Sequence, residues 1–282
     1  MTRRILDAHL HVWDLATTPQ PWIKEASLHV LDRDFSVRDA VEVVAGAGVD
    51  GFVLVQTEHS LRETCTMLEE SLVEQVHGVV GWVDLAGDTS ADLDVLSTAP
   101  GAEALVGVRH LAHTESDEQW LLRSDVASGL DAVAARGLAF DLVLRPWQLP
   151  VAVAVARAHP GLRFVLDHLG NPPQDREEFA RWSSVLQELA ASENVVAKVS
   201  GLPLLRADGT IRPPSLEEVL DVAVSAFGPG RLMFGSDWPL AELSGGYRHW
   251  VDLYLGSTRS YSVDEQQAMD ERTTLDTYRR TR

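Results

Sequence analysis

Eight short apolar runs, most of them followed by a stretch of helical periodicity, limit what this chain can fold into more than any other feature. They are Arg4–Ala8 (RILDA), Gly51–Gln56 (GFVLVQ), Gly78–Val83 (GVVGWV), Leu105–Arg109 (LVGVR), Leu138–Leu144 (LAFDLVL), Arg163–Asp167 (RFVLD), Val195–Val199 (VVAKV) and Arg231–Gly235 (RLMFG). The runs are dense in Val, Leu, Ile and Phe and do not alternate with polar residues, the pattern of strands covered on both faces. Helical periodicity appears between them at Val37–Ala47, Ser60–Val76, Glu118–Arg136, Leu149–Ala158, Glu177–Ser192 and Ser215–Ala226. Asp, Glu or Ser stands near several of these starts, where free helix N–H groups need acceptors. Regular alternation of strand and helix builds parallel sheet through βα units. Eight such pairs predict an α/β fold of the closed kind, a (β/α)8 TIM barrel. A barrel takes about 250 residues, so residues 1–282 are read as a single domain.

Two stretches interrupt the alternation. Residues Thr17–Asp34 contain Thr-Thr-Pro-Gln-Pro-Trp, and residues Leu202–Pro214 contain Pro203, Asp208-Gly209 and Pro213-Pro214, all strong chain punctuators. Both follow strands, which places them as loops over the C-terminal mouth of the barrel, where substrate-selecting loops sit. The formal net charge of -18 argues against a nucleic-acid partner, because displacing counterions from a polyanion needs clustered Lys and Arg. A small-molecule substrate is expected instead. The single cysteine, Cys65, allows no internal disulfide. The N-terminus lacks the apolar core of a signal peptide, and no stretch approaches a membrane span, so the expectation is a cytoplasmic protein without a membrane partner. A homodimer is the base-rate expectation for oligomeric state.

The chemistry concentrates at strand ends. Asp7-Ala8-His9-Leu10-His11-Val12-Trp13 follows the first strand, and histidines at i and i+2 of an extended chain point to the same side. Phe164-Val165-Leu166-Asp167-His168-Leu169-Gly170 ends a second strand in Asp-His, and Leu232-Met233-Phe234-Gly235-Ser236-Asp237-Trp238-Pro239 ends the last in a carboxylate. Singly, each histidine could be a hydrogen-bonded core residue and the aspartate a helix cap. Together, His9, His11, His168 and Asp237 deliver three imidazoles and a carboxylate to the mouth, where polar strand ends in barrels are catalytic. Arg109, at the end of strand four, is a candidate to bind a substrate carboxylate or hydroxyl through its fork of donors. Lys198 stands inside an apolar run, which is costly unless it meets a carboxylate or the substrate. Trp82 adjoins the third strand, and its aromatic face suits a sugar ring, an apolar face of a substrate, or packing in the core. His29, His59, His77, His159 and His249 are read as helix or loop residues without comparable partners.

A set of motifs spread over most of the chain carries a resemblance. Besides the three strand ends above, it comprises Gly81-Trp82-Val83-Asp84-Leu85, Gly107-Val108-Arg109-His110, Phe140-Asp141-Leu142 and Lys198-Val199-Ser200-Gly201-Leu202. With these the sequence resembles the amidohydrolase superfamily, in its amidohydrolase 2 branch of metal-dependent hydrolases. Within that branch it is most similar to the lactonase-like group of sugar lactonases and 2-pyrone-4,6-dicarboxylate lactonases. The ending Asp270-Glu271-Arg272-Thr273-Thr274-Leu275-Asp276-Thr277-Tyr278 departs from the group's Asn-Ala-x-x-x-Tyr, which is read as drift in the closing helix. The resemblance implies a distorted barrel with Asp237 as the general base that activates water. It implies that His9, His11 and His168 either hold one divalent metal with Asp237, zinc before others, or polarise the substrate carbonyl directly. Metal-dependent relatives add a histidine at strand five and a bridging Lys or Glu at strand four. Neither is present, so the resemblance favours catalysis without a cofactor, with a single metal second, and an activated ester such as a sugar-acid or dicarboxylate lactone. Two rival readings stand beside it: a metal-dependent decarboxylase of an unsaturated acid, and a barrel without catalysis that serves as a binding protein.

Overall fold

The apolar runs form eight parallel strands hydrogen-bonded in chain order: β1 (Leu6–Leu10), β2 (Gly51–Val55), β3 (Val76–Gly81), β4 (Leu105–His110), β5 (Ala139–Leu142), β6 (Phe164–Leu166), β7 (Val195–Val199) and β8 (Leu232–Phe234). The structure, a computed structural model, describes residues 3–24, 26–202 and 214–279. The seam between β1 and β8 closes at the mouth, where Asp237 N donates to His9 O at 2.8 Å and His11 N to Trp238 O at 2.7 Å. The fold is the expected (β/α)8 barrel. No helix among the described residues is long and apolar enough to cross a membrane.

Eight helices pack outside the strands: α1 (Val37–Ala47), α2 (Leu61–Glu70), α3 (Thr89–Ser97), α4 (Ser124–Ala135), α5 (Leu149–Ala158), α6 (Arg176–Ala190), α7 (Leu216–Phe227) and α8 (Tyr247–Ser257). Five of their starts, those of α1, α2, α3, α6 and α7, carry a side-chain cap. Ser36 and Asp39 form a reciprocal capping box on α1, as do Ser215 and Glu218 on α7. Two helices are shorter than the periodicity predicts. α2 stops at Glu70 because Ser71 caps it, its hydroxyl donating to Leu68 O at 2.6 Å, and Val76 then opens β3. The segment before α4 is a 3-10 turn at Trp120–Leu122. α3 and α8 lie outside the periodic segments named above: α3 buries little besides Leu93 and Leu96, and α8 buries Tyr247, Trp250 and Tyr254. His77 belongs to β3 and not to a loop. After α8 the chain passes through α9 (Val263–Gln267), a π turn (Ala268–Arg272) and α10 (Thr273–Thr277).

Two apolar layers follow from the strand period of two. Phe52, Leu54, Phe140, Leu142, Phe164 and Leu166 face the helices, while Val53, Val55, Val80, Ala139, Val165, Val196 and Met233 fill the barrel. Tyr278, just past α10, joins this inner cluster. Two residues beyond the inner Ala139, Val165 and Val196, on the same face, come Asp141, Asp167 and Lys198. The insertion at 17–34 makes two 3-10 turns, at Pro21–Lys24 and Ala26–Leu31. It is pinned at its base by the Trp13–Phe35 bridge and at the mouth by Gln20 Nε2 donating to Thr57 Oγ1 at 2.7 Å. Of the expected mouth segment 202–214, the stretch 203–213 lies outside the described residues.

Candidate active site

His9, His11, His168 and Asp237 meet at the mouth as their strand-end positions predict. His9 lies in β1 and His11 one residue past it, and their Nε2 atoms are 3.1 Å apart. His11 Nδ1 lies 2.7 Å from Val55 O. A carbonyl only accepts, so Nδ1 carries the His11 proton and Nε2 is left with its lone pair. Asp237 Oδ1 lies 3.2 Å from His11 Nε2 and 3.6 Å from His9 Nε2. His168 places its ring 4.6 Å from that of His9, and its Nδ1 pairs with Ser200 Oγ at 2.9 Å. Asp237 (φ 60°) and His168 (φ 55°) both adopt left-handed backbone, which turns each side chain sharply off its strand. Asp7 holds the framework behind them, its Oδ1 accepting from His9 N at 3.0 Å and from Ser236 N at 2.9 Å.

A buried layer of charge lies beneath the imidazoles. Lys198 Nζ donates to Asp141 Oδ2 at 2.5 Å, lies 3.0 Å from Asp167 Oδ1, and contacts His9 Nδ1 at 3.0 Å. Arg109 Nη1 donates to Asp167 Oδ2 at 3.0 Å and lies 3.3 Å from His9 Nε2, while its Nη2 donates to Gln56 O. Tyr278 closes the layer from below, its hydroxyl 2.7 Å and 2.8 Å from the two Asp141 oxygens. Two carboxylates thus balance two cations, as buried charge requires. Lys198 and Arg109 were singled out as substrate contacts; the structure sets them under His9, buried and paired. Asp141, Asp167 and Tyr278 were not among the candidates. The signal for the two aspartates was a charge inside or ending an apolar run at the inner-face parity.

The electrostatics sort the groups. Burial pushes the Asp237 carboxyl up, but the surrounding His168, His11 and His9 outweigh it and hold the group ionised. Burial, followed by the Lys198 charge, keeps His9 neutral, and burial does the same for His11. Burial raises Asp167 too, yet Lys198, His9 and Arg109 prevail and keep it a carboxylate, whereas burial prevails at Asp141 and raises it.

The ligand set of a single metal can be tested on these distances. A zinc tetrahedron with bonds of about 2.0–2.1 Å puts neighbouring ligand atoms about 3.3 Å apart. The His9, His11 and Asp237 triangle, at 3.1, 3.2 and 3.6 Å, has those edges. His168 offers a further ligand atom within 4.8 Å of His9 and Asp237. The residues fit one divalent cation. At β5, where a further histidine was sought, Asp141 turns to Lys198 instead.

A second group lines the mouth at β3 and β4. His110 is sandwiched between Trp120 (3.8 Å) and His59 (4.0 Å), its Nδ1 accepts from Trp82 Nε1 at 3.3 Å, and its Nε2 pairs with Glu115 at 2.8 Å. His59, expected to stand without partners, therefore has several. His59, His110 and Glu115 are close enough to hold an ion, but stacked rings direct their lone pairs in nearly parallel planes, and both His110 nitrogens are engaged. Between the ends of β6, β7 and β8, a cavity of about 210 Å3 is lined by Asp237, Ser236 and Asn171 together with Leu202, Leu240 and Trp250.

Residues 6–280 match the Amidohydro_2 family, amidohydrolase. The chain belongs to the amidohydrolase family. This family member is 35% identical over 276 residues to an L-fucono-1,5-lactonase of Burkholderia ambifaria, covering 91% of this chain and 90% of the relative. It is 36% identical over 261 residues to an L-fucono-1,5-lactonase of Burkholderia multivorans, covering 88% and 86%. Among solved structures, an amidohydrolase from Burkholderia multivorans with bound Zn superposes with a TM-score of 0.87 at 31% identity, over 98% of this chain and 99% of that one.

Proposed function

We propose that this amidohydrolase opens a small sugar-acid lactone, of the L-fucono-1,5-lactone kind, by water attack on the ring carbonyl. The observation that carries the reading is an ionised Asp237 set against three imidazoles at the barrel mouth. Asp237 accepts a proton from water as the water oxygen attacks the carbonyl carbon. The carbonyl oxygen gains charge and is stabilised by N–H donors of His9 and His168, which sit in a water-poor site where such bonds are strong. Collapse of the tetrahedral adduct breaks the ring C–O bond, and the Asp237 proton passes to the departing alkoxide, giving the hydroxy acid. Trp82, half-buried beside His59, supplies an aromatic wall for the sugar. The substrate type is supported by the two lactonase relatives at 35% and 36% identity. Zinc, held by His9, His11, His168 and Asp237, would supply a Lewis acid at the carbonyl oxygen when bound.

The test is ring opening across a panel of sugar-acid and dicarboxylate lactones, followed by acid release, with and without chelation. Asp237→Asn is expected to lower turnover of the preferred lactone by about 10²–10⁴-fold, the usual worth of a general base, while the circular dichroism spectrum stays that of the wild type. An Asp237→Asn variant that keeps most of its lactone hydrolysis would sink the assignment.

A further inference from the structure

His9 Nδ1 has two neighbours that make opposite demands. The Lys198 ammonium, 3.0 Å away, can only donate, so it needs a bare Nδ1. Ionised Asp167, with Oδ1 at 3.3 Å, can only accept, so it needs Nδ1–H. A neutral imidazole carries one proton, and its position at Nδ1 fixes what Nε2 shows to the mouth.

Counting donors and acceptors along the chain of contacts favours one arrangement. With the proton on Nε2, Lys198 donates to His9 Nδ1, His9 Nε2–H donates to His11 Nε2 at 3.1 Å, and His11 Nδ1–H donates to Val55 O at 2.7 Å. The three shortest contacts of the two rings then each pair a donor with an acceptor, and the mismatches left, Asp167 and Arg109 at 3.3 Å and Asp237 at 3.2 Å from His11 Nε2, are longer. With the proton on Nδ1, an N–H faces the Lys198 ammonium at 3.0 Å and two imidazole lone pairs face each other at 3.1 Å. That arrangement gains Nδ1–H to Asp167 Oδ1 and Arg109 Nη1 to Nε2, both at 3.3 Å and so longer than the two contacts it loses. It becomes favourable when a cation lies between the facing lone pairs. Asp167 Oδ1, buried and ion-paired with Lys198 at 3.0 Å, lies 3.3 Å from His9 Nδ1 and accepts a hydrogen bond from Nδ1–H in that case.

We propose that Lys198 is a positioning residue that holds His9 in its Nε2–H form, making His9 a hydrogen-bond donor to the substrate oxygen in place of His11 Nε2, and that when His9 serves as a metal ligand its one proton moves from Nε2 to Nδ1 by exchange with solvent, where Asp167 accepts a hydrogen bond from it. Lys198 and Asp167 then act as a two-position selector between the metal-free and the metal-holding states of one site. The donor role of His9 rests on the lactonase reading; its tautomer does not.

The experiment is long-range 1H–15N correlation on histidine-labelled, metal-free protein, with the His9 signals assigned by their loss in His9→Gln. The expected result is a proton on His9 Nε2 and none on Nδ1. In Lys198→Met the proton is expected to move to Nδ1, and zinc affinity by chelator competition to rise about tenfold or more, the scale on which residues behind metal ligands act. Metal-free lactone opening falls in the same variant. A lysine with a merely structural role would lower zinc binding and turnover together. Wild-type His9 protonated at Nδ1, or Lys198→Met binding zinc no more tightly than wild type, overturns the proposal. Should Lys198→Met fail to fold around its two buried carboxylate partners, the wild-type spectrum decides alone. A chain with the expected tautomer and no activity on any lactone would refute the function and leave the selector standing.

Discussion

His168 and Asp237 both sit in the left-handed region, where a non-glycine residue carries a cost of about 1–2 kcal/mol. The barrel sustains that cost because neither side chain could reach the mouth from regular strand backbone. Gly201 shows how closely one of them is fitted. Its φ is +59°, and a Cβ there would lie 2.3 Å from His168 Nδ1 and 2.7 Å from Cγ. The Gly201→Ala variant is therefore expected to lose about 1–3 kcal/mol in urea unfolding from backbone strain. Lactone turnover should fall with it, because the His168 ring must leave Ser200. Turnover equal to that of wild type would show that the ring's position is not needed.

The C-terminal helical segment does more than close the outer layer. Tyr278, carried just past α10, packs with Val106, Ala139 and Val165 inside the barrel and hydrogen-bonds Asp141. The altered ending of the chain thus keeps the tyrosine that the layer of charge requires, which is why the departure upstream of it leaves the barrel intact. Tyr278→Phe removes one donor from a buried carboxylate, a bond of the class worth about 1.5–3 kcal/mol. The expected outcome is a loss of that size in urea unfolding, with zinc and lactone binding nearly unchanged. A Phe variant as stable as wild type would place the hydroxyl outside the structural account.

Across the whole molecule, buried titratable groups set how stability depends on pH. Burial lowers His59, His110 and His113 to about 4, from an ordinary 6.5. Each is neutral when folded and gains a proton on unfolding below pH 6.5, so stability is lost as pH falls from about 6.5 towards 4. Asp7 works the other way: burial raises it from 3.8 to about 6, so its folded form keeps a proton that the unfolded chain gives up. Its contribution is lost as pH rises through that window. Asp141, raised to about 6 as well, acts with Asp7, but the lowered histidines, His9 and His11 among them, outnumber the two aspartates, and the urea midpoint is expected to fall between pH 7 and pH 5. A His110→Gln variant should show a shallower fall, and an unchanged slope would remove His110 from the set.

The sequence by itself determined the eight strands, their order of appearance and the strand ends that carry His9, His11, His168 and Asp237. Strand period and burial are local properties, written in runs of five to seven residues. The i, i+2 spacing brought the two β1 histidines together before any partner strand was known. It did not determine which charges meet. Lys198 finds Asp141 from 57 residues away and Tyr278 finds it from 137, through the stagger between strands and the closure of the barrel. Lys198 and Arg109 each read as a substrate contact because a lone cation in an apolar run has two solutions, a ligand or a buried carboxylate. The register between β4, β5, β6 and β7 supplies the buried carboxylates. The tautomer of His9 lies further still from the sequence, since it depends on tenths of an ångström among Lys198, Asp167 and His11, which side-chain packing in the closed barrel sets.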